Sequence, residues 1–345
     1  MACCVTQQAF AFWEVFMEHR KDFYTICICA VVFALLLRIL SLGGFGLFQD
    51  PTALSLLVYL QTGRVVRYPA ESAPAPDVEA TVPPTTPATL PRPQSLTLSQ
   101  RDSLSVQLQD FAGYQPNVEQ LLLQPLSWSL RSDAPTVLIL HTHATESYTM
   151  QPGEFYEESS MYRTLNASYN MLSIGEELKK VLEDSGISVL HDRTLHDYPS
   201  YNGSYDHARE TIAKYLEAYP SIVLVIDLHR DALDFNQDPQ LTTLATVNGQ
   251  KSAQLMLVAG TDKNAPHANW QENLALNVKL TALLEKMHPG ITRPIQLRPQ
   301  RFNLDMTPGS ILVEVGANGN THAEAILAVR ILGQAILAMA NGVNS

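Results

Sequence analysis

Histidines and glutamates that can hold a cation or move a proton fall within or just beyond three apolar runs in this sequence. His141 and His143 follow TVLIL at 136–140, His229 comes just after IVLVID at 222–227, and Glu314 lies within ILVEV at 311–315. Glu146 stands three residues past His143, in HTHATES. Two imidazoles and a carboxylate can bind zinc and leave a fourth position for water, while a second carboxylate takes that water's proton. Glu314 is the most informative of these residues, because an ionised carboxylate among Ile311, Leu312, Val313 and Val315 is costly if simply buried. Structural roles stay open at this point: a His after a strand often only closes a loop, and Glu314 would be unremarkable on a solvated strand face.

Such residues meet only if the runs that carry them are strands of one sheet. Short apolar runs bounded by helical periodicity are the pattern of buried parallel strands in an α/β fold. Met171, Ile174, Leu178, Val181 and Leu182 keep helical spacing, and Gly186 ends that helix before a strand at 187–190. A second helix is expected over 205–218, a strand over 254–259, a long helix over 270–287 and a last helix over 322–340. Thr321 and Glu324 form a capping-box pair for the last of these. The expected fold is therefore α/β, a mostly parallel sheet flanked by helices. An open sheet of this kind gathers ligands at the carboxyl edge of its strands, where the two histidine groups and Glu314 would lie.

The rest of the chain bounds the possibilities. Its 345 residues carry 23 Lys and Arg against 34 Asp and Glu, a net charge of −11, which gives a nucleic-acid surface no support. Cys3, Cys4, Cys27 and Cys29 are its four cysteines, so a metal in the main body must be held by His and carboxylates. The thiol-free remainder suits an oxidising compartment. Residues 23–48 are apolar except for Arg38, longer than the roughly 20 residues that cross a bilayer. One membrane span is expected there, with a cytoplasmic segment at 1–22; Arg38 would cost about 2.5–3.5 kcal/mol at mid-bilayer and less where it can snorkel. Residues 49–133 read as linker and lead-in, Pro-rich at 69–93, where extended chain could reach roughly 75 Å from the bilayer. The main domain is expected over 134–345.

Four longer motifs carry a specific resemblance. HTHATESY at 141–148, HDYPSYNGSYDHAR at 196–209, VIDLHRDA at 225–232 and GSILVEVGANGNT at 309–321 resemble, in order, the stage II sporulation protein P family, within the zinc N-acetylmuramoyl-L-alanine amidases. The resemblance covers roughly 134–342 and implies an amidase-like fold preceded by a membrane anchor and linker. It implies His143 and His229 as Zn2+ ligands and Glu314 as the catalytic carboxylate, in Val-Glu-Val-Gly. Typical amidases carry the middle ligand, a Glu, near a helix start, but residues 166–170 offer no carboxylate here. Glu146 is the replacement, with Glu157 and Glu158 in reserve; His141 is left as a supporting or loop residue.

Asp227 shares a strand face with His229 and could orient its ring. Arg230 and Asp231 are open between substrate contact and a structural pair. Tyr201, Asn202, Gly203, Ser204 and Tyr205 read as a turn or a wall facing substrate. Arg301 and Asn303 resemble a family loop without an identifiable role. The resemblance further implies hydrolysis of the amide joining N-acetylmuramic acid to L-alanine in peptidoglycan, with endopeptidase cleavage of crosslinks as a second activity. It implies engulfment during sporulation as the setting, stage II sporulation proteins D and M as partners, and a single-pass location with the catalytic domain outside the cytoplasm, in the intermembrane space of the sporangium. Two other readings remain: a peptidoglycan-binding scaffold that has lost catalysis, and a zinc carboxypeptidase-like hydrolase.

Overall fold

The apolar runs of the sequence become buried strands of a single sheet. The computed structural model of the chain describes residues 96–152, 154, 156, 162–233 and 240–341. The expected segments 1–22, 23–48 and 69–93, the four cysteines, Glu157 and Glu158 lie outside the described residues. Contacts divide the chain into Met1–Ala88 and Thr89–Ser345, and every described residue belongs to the second unit.

In chain order this unit runs β1 (Leu108–Asp110), α1 (Val118–Leu123), β2 (Val137–Leu140), α2 (Met171–Glu183), β3 (Val189–His191), α3 (Ser204–Ala218), β4 (Leu224–Asp231), β5 (Leu244–Val247), β6 (Gln250–Ala253), β7 (Leu255–Gly260), α4 (Trp270–Met287), β8 (Ile295–Arg298), β9 (Gly309–Ala317) and α5 (His322–Ala340). The sheet order is β1-β8-β7-β9-β4-β2-β3, and β5 and β6 form a separate hairpin. Every neighbouring pair in the sheet is parallel except β7 with β9. The expected α/β class with a mostly parallel sheet therefore holds. Residues 96–133, expected as a lead-in ahead of a domain starting at 134, supply the edge strand β1, which pairs with β8 from Leu108 to Asp110.

The two faces of the sheet are covered unequally, and this is what makes room for a site. Leu224, Ile226 and Leu228 of β4 and Ile311, Val313 and Val315 of β9 point into the main core with α2, α4 and α5. On the opposite face Leu138, Leu140 and Val225 pack against Ala208 and Ile212 of α3. Each fully buried Leu or Ile contributes about 1.5–3 kcal/mol, so the heavily covered face anchors the sheet. Among these core helices α5 is long and apolar enough to cross a bilayer, yet most of it is buried inside the protein. Its length reflects a central place in the core, and its start is fixed by the capping box: Thr321 Oγ1 accepts from Glu324 N, and Glu324 Oε2 accepts from Thr321 N.

A tight contact joins β2 to α2. His141, immediately after β2, is fully buried; its Nδ1 lies 3.1 Å from Leu228 O and its Nε2 2.9 Å from His191 Nε2. Gly175 of α2 covers this pair, and a Cβ there would come within 2.5 Å of His191 Nε2 and 2.6 Å of His141 Nε2. A mid-helix Gly→Ala change ordinarily stabilises by roughly 1 kcal/mol. Here the sign should reverse: Gly175→Ala is expected to destabilise by about 1–3 kcal/mol through overpacking, measured by chemical denaturation of the full chain.

Candidate metal and catalytic site

The register of the central strands brings the expected residues together. His229 of β4 is the parallel partner of Glu314 of β9, so the two side chains share the face that α3 leaves partly uncovered. Asp227, two residues earlier, lies on that face too. Just past Glu314 the pairing slips, with His229 opposite Glu314 but Asp231 opposite Ala317. Gly316 takes up this bulge at φ +70°, where a Cβ would meet Ala253 and Asn320. The loop leaving β2 folds back over the strand ends and buries His143 and Glu146 there.

Geometry within the cluster is close. The rings of His143 and His229 stand edge to face with centroids 5.1 Å apart. His229 Nδ1 lies 3.8 Å from Glu146 Oε2, and its Nε2 lies 3.0 Å from Asp227 Oδ1. That second approach is close but poorly aligned, so Nε2 gains charge proximity without a well-formed hydrogen bond. Asp227 is otherwise well satisfied, accepting from Thr142 N at 2.8 Å and Thr142 Oγ1 at 2.6 Å. Glu146 accepts from Arg230 N at 3.2 Å and from the Arg163 guanidinium at 3.1 Å. Ser204 Oγ lies 3.4 Å from His143 Nδ1, and the Tyr201 ring stacks on His143 at 4.5 Å. Part of the Glu314 side chain reaches solvent, but its Oε2 is buried and has no hydrogen-bond partner among the described residues.

Burial and neighbouring charge set the protonation pattern. Burial pushes the Glu314 carboxyl up to about 8, and the nearby Glu146 and Asp231 add to this against His229 and Arg230. Burial would also raise Asp227, but His229 and the Thr142 hydrogen bonds outweigh it and hold it at about 2. Glu146 is lowered as well, since Arg230, His229, His143 and Arg163 together exceed the cost of burial. His143 is lowered to about 4, first by burial and then by the charge of His229. Burial opposes a proton on His229, yet Asp227, Glu146 and Glu314 outweigh it and raise its pKa well above the ordinary value. At neutral pH the cluster thus keeps two ionised carboxylates and holds protons on His229 and Glu314.

The donor chemistry suits zinc: two imidazoles, acidic oxygens and an orphaned buried Glu314 oxygen. His229 keeps Nδ1 on the Glu146 side with Nε2 towards Asp227, and His143 keeps Nε2 free of Ser204. The arrangement is not closed around a point, however, and no set of three His, Cys, Asp or Glu side chains among the described residues is poised to hold an ion as it stands. Glu146 explains this, since both of its oxygens are committed to arginine donors.

Other expected residues fall elsewhere. His141 turns to the opposite side, into the contact with His191. Arg230 alternates away from Asp227 and His229; its guanidinium donates to Ser147 O at 2.8 Å and Tyr162 O at 2.9 Å, fastening the loop over the site. Asn202 is exposed, and its carbonyl accepts from Ser200 Oγ. Asp231 pairs with Arg293 at 2.7 Å. Asn303 donates to Tyr205 O, and Arg301 lies 3.4 Å from Asp305, both in the loop before β9. The sequence reading missed the half-buried Arg163 and the buried Asp197, a pair joined to Glu146 and Thr145, because nothing in local spacing links position 163 to 146 or 197.

The fold and the cluster define an α/β protein with a histidine and carboxylate site at the carboxyl edge of its sheet. The family model for Stage II sporulation protein P matches residues 63–337, and the chain belongs to that family. Stage II sporulation protein P of Bacillus subtilis (strain 168) is 29% identical over 206 residues, 56% of this chain and 48% of the relative, so the chain matches about half the length of that curated relative. Among solved structures, N-acetylmuramoyl-L-alanine amidase from Clostridium difficile 630 is 17% identical, with 61% of this chain and 99% of that chain covered and a TM-score of 0.36. The catalytic domain of CwlV, N-acetylmuramoyl-L-alanine amidase from Bacillus (Paenibacillus) polymyxa var. colistinus, is 10% identical, with 60% of this chain and 98% of that one covered and a TM-score of 0.33.

Two measurements test the cluster. Elemental analysis of purified full chain should find zinc in near-stoichiometric amount and lose it in His143→Ala and in His229→Ala, while Glu146→Gln should weaken binding by about tenfold or more; full retention in either histidine variant would mean that these are not the ligands. In chelator-treated protein, Glu314 binds its proton more tightly folded than unfolded, so stability is lost as pH rises from about 4.3 through about 8. Glu314→Gln should flatten that part of the stability profile in chemical denaturation.

Proposed function

We propose that this chain is a membrane-anchored peptidoglycan hydrolase, a zinc-dependent N-acetylmuramoyl-L-alanine amidase that acts during sporulation. The carrying observation is the Glu314 carboxyl: buried at Oε2, lacking a hydrogen-bond partner among the described residues, and in register with His229 beside His143 and Glu146. A structural carboxylate would be satisfied as Asp227 is; this one is left with capacity to exchange a proton. A pKa of about 8 places it near neutrality, where a group can both take and return protons efficiently.

His143, His229 and Glu146 are the residues that would hold the ion. Zinc, when bound, would polarise the amide carbonyl and ease ionisation of water. Once ionised, a change that the positive charge of a bound ion would favour, Glu314 accepts the proton from the attacking water and passes it to the nitrogen of the departing L-alanine. Asp227 sets its charge against His229 Nε2, and Thr142 fixes Asp227 through two hydrogen bonds. Tyr201 and Tyr205 flank His143 as an aromatic wall, with Tyr205 meeting its ring edge to face at 5.5 Å, and limit water on that side.

The apolar stretch at 23–48 supports a single-pass anchor with the hydrolase outside the cytoplasm, and the Pro-rich stretch at 69–93 supports a spacer that lets it reach a polymer away from the bilayer. Crosslink endopeptidase activity and stage II sporulation proteins D and M as partners rest on the family resemblance. The scaffold reading is favoured by one observation, the commitment of Glu146 to Arg163 and Arg230, which leaves the ligand set unclosed.

Incubation of the full chain in detergent with purified peptidoglycan, followed by mass analysis, separates these readings. Free stem peptides beginning with L-alanine are expected, and a chelator should abolish their release. Glu314→Gln should keep fold and zinc while lowering the rate by about 10²–10⁴-fold. Undiminished release by that variant would remove Glu314 from the mechanism, and zinc-independent binding without release by the wild type would leave the scaffold reading.

A further inference from the structure

A cavity of about 710 Å³ opens beside the cluster, lined among others by Thr145, Arg163, Leu165, Asn166, Tyr198 and Tyr201. It adjoins the candidate site directly, because Tyr201 stacks on His143 and Arg163 pairs with Glu146. Its volume lies in the range of small-molecule sites and accommodates a sugar ring with substituents. We propose that this cavity is a subsite for the glycan strand, taking a neutral N-acetylated amino sugar on the acyl side of the scissile amide; the assignment rests on the hydrolase reading above.

Charge distinguishes the sugar from the stem peptide. Arg163 and Asp197 are the charged residues among the described lining, and they are paired with each other, with Asp197 also accepting from Thr145 Oγ1 at 2.6 Å. Both charges are spent within the wall, so the described lining offers little to the carboxylates and amines of a stem peptide. What it does offer is aromatic and polar surface: Tyr198 and Tyr201 are 54% and 56% exposed, Leu165 is 52% exposed, and Asn166 is exposed with its Oδ1 accepting from Ser168 N at 3.0 Å. A tyrosine face covers the C–H face of a sugar ring, while its hydroxyl and a neighbouring amide hydrogen-bond to hydroxyl and acetamido groups. Exposed large apolar side chains grouped around a concavity are the usual mark of a binding surface.

The wall is built to keep its shape. His196 Nδ1 lies 2.9 Å from His141 O, and His207 Nδ1 3.2 Å from His196 O, which fastens the loop carrying Tyr198 and Tyr201 to the strand end and to α3. Arg163 sits over the Tyr201 ring with its guanidinium carbon 5.0 Å from the centroid, holding that ring between itself and His143. Tyr201 therefore ends the cavity at the cluster, whereas Tyr198 touches none of the cluster residues through a ring contact and reports on the cavity alone.

Binding is measured by calorimetry on the full chain in detergent, with chitotetraose as the glycan probe and a free stem tetrapeptide as the competitor. Chitotetraose is expected to bind, Tyr198→Ala to weaken it about tenfold, and Tyr198→Phe to retain it within about twofold, because the stacking face survives. Failure of chitotetraose to bind, displacement of all binding by the peptide, or unchanged affinity in Tyr198→Ala would each overturn the subsite. The hydrolase reading is judged separately, by product release from peptidoglycan: a chain that binds chitotetraose but releases nothing loses the enzyme and keeps the subsite.

Discussion

Putting Glu146, Asp227 and Glu314 out of water within reach of one imidazole is the constraint around which this domain is arranged. An isolated buried carboxylate is too costly to keep ionised, so each must be compensated or protonated. Asp227 is compensated by Thr142 and by the charge on His229. Glu146 is compensated by the Arg163 guanidinium and the Arg230 N–H. Glu314 receives neither and keeps a proton, its pKa raised to about 8. The three solutions differ because the three carboxyls arrive by different routes: Asp227 from the interior of a strand, Glu146 from a loop that brings donors with it, and Glu314 from a strand whose next residues bulge away. That difference is what separates a supporting carboxylate from a reactive one.

Much of the frame follows from unequal coverage of the sheet. Three helices bury one face, and that side supplies stability. The other face carries α3 and leaves the ends of β4 and β9 to a loop, which can bury side chains without filling the space. The bulge at Gly316 shifts the β4–β9 register just beyond Glu314, and Tyr148 donates to Val315 O at 2.9 Å beside it.

The legibility of the sequence varied with the kind of signal. The helices at 270–287 and 322–340 were readable to the residue, the second through Thr321 and Glu324, since periodicity and capping are local. β1, β8 and the β5–β6 hairpin were not readable: they are three or four residues long, none is buried along its whole length, and β1 and β8 owe their strand state to partners far along the chain. The antiparallel insertion of β7 beside β9 is likewise a property of the assembled sheet. His143, His229, Asp227 and Glu314 could be grouped because each lies on or just beyond an apolar run, and register did the rest. Arg230 occupies the same kind of position but the alternate face, which a strand-end argument without registration cannot decide. Arg163 and Asp197 had no local signal, as their only meaning is each other and Glu146.

That last pair carries a consequence for how recognition and chemistry are joined. Arg163 bonds Glu146 on one side and Asp197 on the other, and it lies over Tyr201, which in turn stacks on His143. One guanidinium therefore sits at the meeting of a candidate metal ligand, the wall of the adjoining cavity and the aromatic ring that divides them. Its fork geometry allows it to hold two carboxylates at fixed separation, which a lysine could not do. Whatever occupies the cavity lies against Arg163, which donates to Glu146. The unclosed ligand set and the adjoining cavity are then two ends of one structural unit, with Arg163 as the piece they share.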